Sequence, residues 1–243
     1  MTKTAPSFMG LQFSAMPVAR VVELLSPMAR ISEPFKYVVT PNVDHVVRLE
    51  SDNALRFLYD DADLLLNDSR ILETLARRDG LDLPASPGAD IVASLLDLDI
   101  ASDDPVTVIG TEAEDVEAIR KRFGLTNLYW HEPPMGLRNN PDAIAQAADF
   151  MAEHPARYHF LCVGSPQQEM VAHAAKLRGD VRGIGLCCGA SFDFLSGKTA
   201  RAPKWMREVR LEWLHRMLSE PKRLTKRYLV DGPRILSIWR KYR

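Results

Sequence analysis

Short apolar runs alternate along this chain with amphipathic stretches, and that alternation constrains the fold more than any other feature. Strand-length runs at Phe8–Phe13, Tyr37–Thr40, Asp63–Leu66, Val106–Gly110, Asn127–Trp130, Tyr158–Gly164 and Gly183–Cys188 punctuate the first 200 residues. Candidate helices fall between them at about 17–26, 43–59, 69–79, 88–97, 112–123, 141–153 and 166–178. In the 112–123 segment Val116, Ile119 and Phe123 recur at helical spacing with charge elsewhere. Leu83–Gly88 and Pro133-Pro134-Met135-Gly136 read as loops. Strand–helix alternation predicts an α/β fold: a Rossmann-like, mainly parallel sheet with helices on both faces.

The alternation stops at Arg201, and the charge changes sign there. Residues 201–243 hold 13 Lys and Arg against 4 Asp and Glu, whereas the preceding 200 residues hold 18 against 28. The net charge of −1 therefore conceals a cationic end on an acidic body. We expect an α/β domain over 1–200 and a basic, amphipathic, helical appendage over 201–243. Pro203 suits the first turn of a helix, with apolar positions at Trp205, Met206, Val209, Trp213, Leu214 and Met217. A second helix is expected from Pro221 toward Trp239. Basic amphipathic helices with aromatic residues either lie at a membrane interface or pack on the domain with a solvated charged face. For the second helix, rich in Lys and Arg, membrane contact is the reading adopted. An exposed apolar face on these helices would alternatively support a homo-oligomer.

The charge asymmetry points to an anionic partner: lipid head groups, nucleic acid or a diphosphate. No run of 18 apolar residues is present to span a bilayer as a helix. Met1–Gly10 has one Lys and no apolar core of a secretory signal. The three cysteines, Cys162, Cys187 and Cys188, lie in apolar surroundings and read as small buried residues in a reducing cytosol.

Sites in open α/β sheets gather at the carboxyl ends of strands. Four polar clusters fall there: Thr40-Asn42, Asn67-Asp68, Gly110-Thr111 and Ser165 to Glu169. Pro41 ends a strand and Asn42 is a good helix cap, so Asn42 has a structural reading beside a functional one. Asp68 closes an apolar strand, where partial burial suits a general base; it can equally cap the helix that follows. Gly110-Thr111 forms a strand–turn–helix able to place backbone amides near a phosphate or ribose. Asp61-Ala62-Asp63 precedes its strand and so belongs at the amino end, which weakens a metal reading. Asp193, between Phe192 and Phe194, reads as a structural residue holding the Gly189 turn. His45, one turn past Asn42, could face the crevice, but a helix-surface residue is the reading adopted. The chain has no Gly-x-Ser-x-Gly elbow, no His-Glu-x-x-His and no Walker lysine.

A set of ordered motifs goes further. Thr40-Pro41-Asn42, Ala62 to Asp68, Gly164-Ser165-Pro166-Gln167-Gln168-Glu169, the Gly189 to Gly197 block around Phe192-Asp193-Phe194, and Arg201-Ala202-Pro203 occur in that order. Leu211-Glu212-Trp213, Arg216, Pro221, Arg223 and Arg227-Tyr228 follow. In these the chain resembles the WecG/TagA/CpsF family of bacterial glycosyltransferases, over roughly residues 8 to 230. The resemblance implies an inverting, metal-independent transferase without a cofactor. It would move a sugar from a UDP-sugar to a polyprenyl-diphosphate-linked saccharide during surface polysaccharide assembly.

By that resemblance Asp68 is the base, and Thr40, Asn42, Asn67, Gly110, Gln168 and Glu169 bind substrate; Glu169 can alternatively be a first-turn partner of its helix dipole. Without a metal the leaving diphosphate needs arginine forks, best matched by Arg207, Arg210, Arg216, Arg223 and Arg227. Two departures stand beside the expected pocket: Asp68 is followed by Ser69-Arg70 where relatives have Gly, and no Arg precedes Gly88-Ala89-Asp90. Arg70 is accordingly a candidate replacement charge. The expected location is the cytoplasmic face of the inner membrane, as a peripheral protein. The competing class is a non-catalytic α/β module that binds membrane or nucleic acid through its basic end. No nucleic-acid motif supports a nucleic-acid partner.

Overall fold

Four of the apolar runs are buried on both faces, as a parallel sheet covered by helices requires. A computed structural model describes residues 6–198, Met206 and residues 232–243. Its sheet contains β3 (Lys36–Val39), β4 (Leu64–Leu65), β5 (Val106–Ile109), β6 (Leu128–His131), β7 (Tyr158–Leu161) and β8 (Ile184–Cys187). They lie in the order β4-β3-β8-β7-β5-β6, every neighbouring pair parallel. The central strands β5, β7 and β8 are buried throughout, whereas only Leu128 of the edge strand β6 is buried.

Alternate strand residues feed two cores. Tyr37, Val39, Ile109, Leu161 and Cys187 face one, and Val38, Val108, Phe160 and Leu186 face the other. The first core is covered by α2 (Val43–Ser51), α3 (Phe57–Asp60), α4 (Arg70–Arg78), α7 (Pro141–Glu153) and α8 (Gln167–Arg178). The second is covered by α1 (Val18–Met28), α5 (Gly88–Leu98), α6 (Ala113–Phe123) and α9 (Ser191–Leu195). Asn140 caps α7 by accepting the Ala143 N–H at 3.1 Å, with Pro141 at the first helical position.

Three expectations change. Phe8–Phe13 is not one strand but a hairpin, β1 (Ser7–Phe8) and β2 (Leu11–Gln12), apart from the main sheet. Met9 and Gly10 both take positive φ (47° and 77°), which turns the chain back after two residues. The expected helix over 43–59 breaks after Ser51. Asp52 ends α2 and its carboxylate accepts the Ala54 N–H at 3.3 Å, starting a short 3-10 turn over Asn53–Leu55 before α3.

The third change concerns the end of the chain. The start expected at Pro221 lies outside the described residues, which show a turn at Gly232-Pro233 and then α10 (Arg234–Lys241), so the run toward Trp239 is not one unbroken helix. Ile235, Ile238 and Trp239 on α10 are buried in the first core, and Trp239 Nε1 donates to Asp79 Oδ2 at 2.6 Å. Arg243 pairs with Asp79 at 2.9 Å and lies over the Trp239 ring, while Lys241 pairs with Glu50. The apolar stripe of this segment therefore faces the domain. The helix expected at Trp205–Leu218 lies outside the described residues, apart from Met206.

Candidate active site

The crevice of an open parallel sheet forms where neighbouring strands send their connections in opposite directions. Here β5 leads through α6 to β6 on one side, and β7 leads through α8 to β8 on the other. Gly110 ends β5 at this divide with φ +89°, and a Cβ on it would stand 2.5 Å from Val163 Cγ1 and 3.1 Å from Val163 N. Only glycine lets the two loops approach this closely. Thr111 follows with φ 61°, and its hydroxyl donates to Asp193 Oδ1 at 3.2 Å across the end of β7.

Asp193 thus bridges to the loop after β5 rather than holding the Gly189 turn. That turn is fixed by Gln168, whose Oε1 accepts the Gly189 N–H at 2.9 Å. Burial raises the Asp193 carboxyl above its ordinary value, against the lowering effect of the Thr111 hydroxyl. Buried Asp115 alongside accepts the Ser196 hydroxyl at 2.6 Å and pairs with Lys198 at 3.5 Å.

The loops after β3 and β4 form the other arm. Buried Thr40 donates its hydroxyl to the Cys187 carbonyl at 3.2 Å and packs on α5, where a Cβ on Gly88 would lie 3.1 Å from Thr40 Oγ1. Asn42 caps α2: its Oδ1 accepts the Asp44 N–H at 3.0 Å, and its own N–H reaches His45 Nδ1 at 3.2 Å. This reciprocal capping box bears out the structural reading of Asn42. Asn67, 1% exposed, accepts the Ser69 N–H at 2.9 Å and donates to the Leu83 carbonyl at 3.2 Å, joining β4 to the 83–87 loop.

Half-buried Asp68 donates its backbone N–H to the Pro41 carbonyl at 2.9 Å, which ties the loop after β4 to the loop after β3. The cap of α4 is not Asp68 but Ser69, whose hydroxyl accepts the Leu72 N–H at 3.3 Å. Arg70 is exposed at the first position of α4 and pairs with Glu73 at 3.4 Å.

Between the two arms lies the start of α8, where the Ser165–Pro166 peptide is cis. Glu169 is fully buried; Gln168 Nε2 donates to its Oε1 at 2.9 Å, and His45 Nε2 stands 3.6 Å from the same oxygen. Burial pushes the Glu169 carboxyl up, but His45 and Gln168 outweigh it and hold the group below its ordinary value. His45 is therefore an interior residue, not the surface residue expected. Arg48 on α2 donates to the Ser165 hydroxyl at 2.8 Å, and Tyr59 OH lies 3.4 Å from it. The sequence offered one signal for His45: it stands three residues after a capping Asn, where a side chain reaches back to the cap. Nothing comparable marked Arg48 or Tyr59.

Thr40, Asn42, Asn67, Asp68, Gly110, Gln168 and Glu169 thus belong to loops and helix starts at one edge of the sheet. Arg207, Arg210, Arg216, Arg223 and Arg227 lie outside the described residues. Asp61 and Asp63 sit at the opposite edge, where both pair with Lys176 (3.6 and 3.2 Å) and Asp63 accepts the Tyr37 N–H at 3.0 Å. Among the described residues no three His, Cys, Asp or Glu side chains are grouped to hold a metal ion.

Residues 6–243 match the family described as glycosyl transferase WecG/TagA/CpsF. The chain belongs to that family. As a WecG/TagA/CpsF glycosyltransferase it acts in polysaccharide biosynthesis, with a sugar-nucleotide donor and a lipid-linked acceptor as the family's general pairing. Among its described residues, no helix is long and apolar enough to cross a membrane.

Proposed function

We propose that this WecG/TagA/CpsF protein is an inverting, metal-independent glycosyltransferase that uses a UDP-sugar and a polyprenyl-diphosphate-linked saccharide, with Asp68 as general base. The observation that carries the reading is the setting of Asp68. It is a half-buried carboxylate at the end of β4, excluded from helix capping by Ser69 and held at its backbone by Pro41.

The acceptor hydroxyl gives its proton to the Asp68 carboxylate as its oxygen attacks the anomeric carbon. The bond from that carbon to the diphosphate oxygen breaks on the opposite face, so configuration inverts and UDP departs. Gly110 and Thr111 at the β5–β7 divide offer backbone to the nucleotide, and Thr40 and Asn42 line the arm that carries Asp68. Asn67 acts from beneath, as the buried strut of that arm.

Charge developing on the diphosphate is met by arginines of the basic end, of which Arg207, Arg210, Arg216, Arg223 and Arg227 are the candidates. The engagement of Asp61 and Asp63 with Lys176 at the far edge of the sheet supports a reaction that does not use this pair for a metal. The basic end also supports docking of the protein on the anionic inner face of the bacterial inner membrane.

The test is UDP release from a panel of UDP-sugars, with and without a lipid-diphosphate-linked sugar, in EDTA. Acceptor-dependent release with one donor is expected. Release only on adding a divalent metal, or none with any UDP-sugar, contradicts the proposal.

A further inference from the structure

Two buried side chains behind the Thr40–Asn42 loop carry atoms with no hydrogen-bond partner: His45 Nε2 and Glu169 Oε2. His45 is 6% exposed and Glu169 fully buried, and His45 Nε2 lies 3.6 Å from Glu169 Oε1. The contacts at the other ring nitrogen fix which form of His45 fits. Nδ1 lies 3.2 Å from the Asn42 N–H and 2.9 Å from Asn42 Oδ1. A lone pair on Nδ1 takes the N–H, leaving the proton on Nε2; a proton on Nδ1 as well gives the imidazolium. Either form presents an Nε2–H to the Glu169 carboxylate, and the remaining tautomer would set a lone pair against it.

From this site a short path leads to Asp68. Glu169 orients the His45 ring, His45 Nδ1 engages the Asn42 cap, and the adjoining Pro41 carbonyl accepts the Asp68 N–H at 2.9 Å. Arg48 and Ser165 join α2 to the start of α8 a second time, at 2.8 Å. We propose that the His45–Glu169 pair is a positioning device that sets the Thr40–Asn42 loop, and through it Asp68, without touching the sugar donor. This rests on the reading of Asp68 as the base. It also departs from the resemblance, which would set Glu169 on the nucleotide-sugar. A fully buried carboxylate turned toward an interior ring is poorly placed for that contact and well placed to hold a loop.

Displacing a reacting group by about 1 Å costs on the order of 100-fold in rate with little effect on ground-state binding. In steady-state kinetics on the full chain, Glu169→Gln should lower kcat about 10- to 100-fold and leave the donor KM within about 3-fold. The double variant His45→Gln/Glu169→Gln, which removes the imidazole and the carboxylate together and keeps the interior neutral, should be no slower than the slower single variant. A raised donor KM at unchanged kcat would put Glu169 on the donor and overturn the proposal. Multiplying losses in the double variant, or wild-type kcat in it, would overturn it too. Asp68→Asn is measured in parallel. If its turnover survives, the base assignment fails; if it collapses while the double variant is fully active, only the positioning role fails.

Discussion

His159 lies wholly inside the sheet, where its Nδ1 takes the Thr107 hydroxyl at 2.6 Å and its Nε2 donates to the Arg182 carbonyl at 2.7 Å. Burial lowers its pKa to about 4, while an unfolded histidine titrates near 6.5. Between these values the unfolded chain binds a proton that the folded one refuses. Stability is thus full above about pH 6.5 and falls as pH drops toward 4, by on the order of 3 kcal/mol. Denaturant unfolding should show a shallower loss over that window in His159→Gln than in the wild type; equal slopes would contradict the assignment. Single residues were the least legible scale in the sequence. Residue type and strand-end position picked out Asp68 and the cluster from Ser165 to Glu169, and the resemblance singled out Gln168 and Glu169 within it, but burial decides what each can touch. The same ignorance of burial put His45 on the surface and left Asp193 at the wrong turn.

Helices and strands were far more legible, because periodicity reports directly on which face is covered. The places of the main-sheet strands along the chain, and α7 over Pro141–Glu153, follow from the apolar pattern read locally. Failures came where a two-residue event overrode the pattern: Met9-Gly10 folded a strand into a hairpin, and Asp52 interrupted a helix. The apolar stripe of α10 was visible, but its partner was not, since nothing local says whether such a stripe meets lipid or α2. The structure gives it a core role, with Trp239 half of a contact to Asp79. Trp239→Ala should therefore destabilise the whole protein by about 3 kcal/mol or more, read as a lowered midpoint of unfolding. A midpoint within error of wild type would mean that α10 is not part of the cooperative unit.

At the scale of the molecule, the proposed function has the acidic body recognise the donor and the basic end meet anionic partners. The 9 Lys and Arg between residues 201 and 231 stand against 4 Asp and Glu there, a surplus separate from the ion-paired α10. Each cation near an anionic bilayer contributes about 1 kcal/mol, screened by salt. The full chain should sediment with phosphatidylglycerol vesicles at low salt, release at high salt, and ignore phosphatidylcholine vesicles. Equal binding to both lipids would contradict an electrostatic dock. The central claim concerns chemistry, and the most direct test is turnover of Asp68→Asn with donor affinity measured alongside. The account predicts that acceptor-dependent UDP release falls by about 100-fold or more while the variant still binds UDP like the wild type. Unchanged turnover would remove Asp68 from the reaction and with it the proposed mechanism.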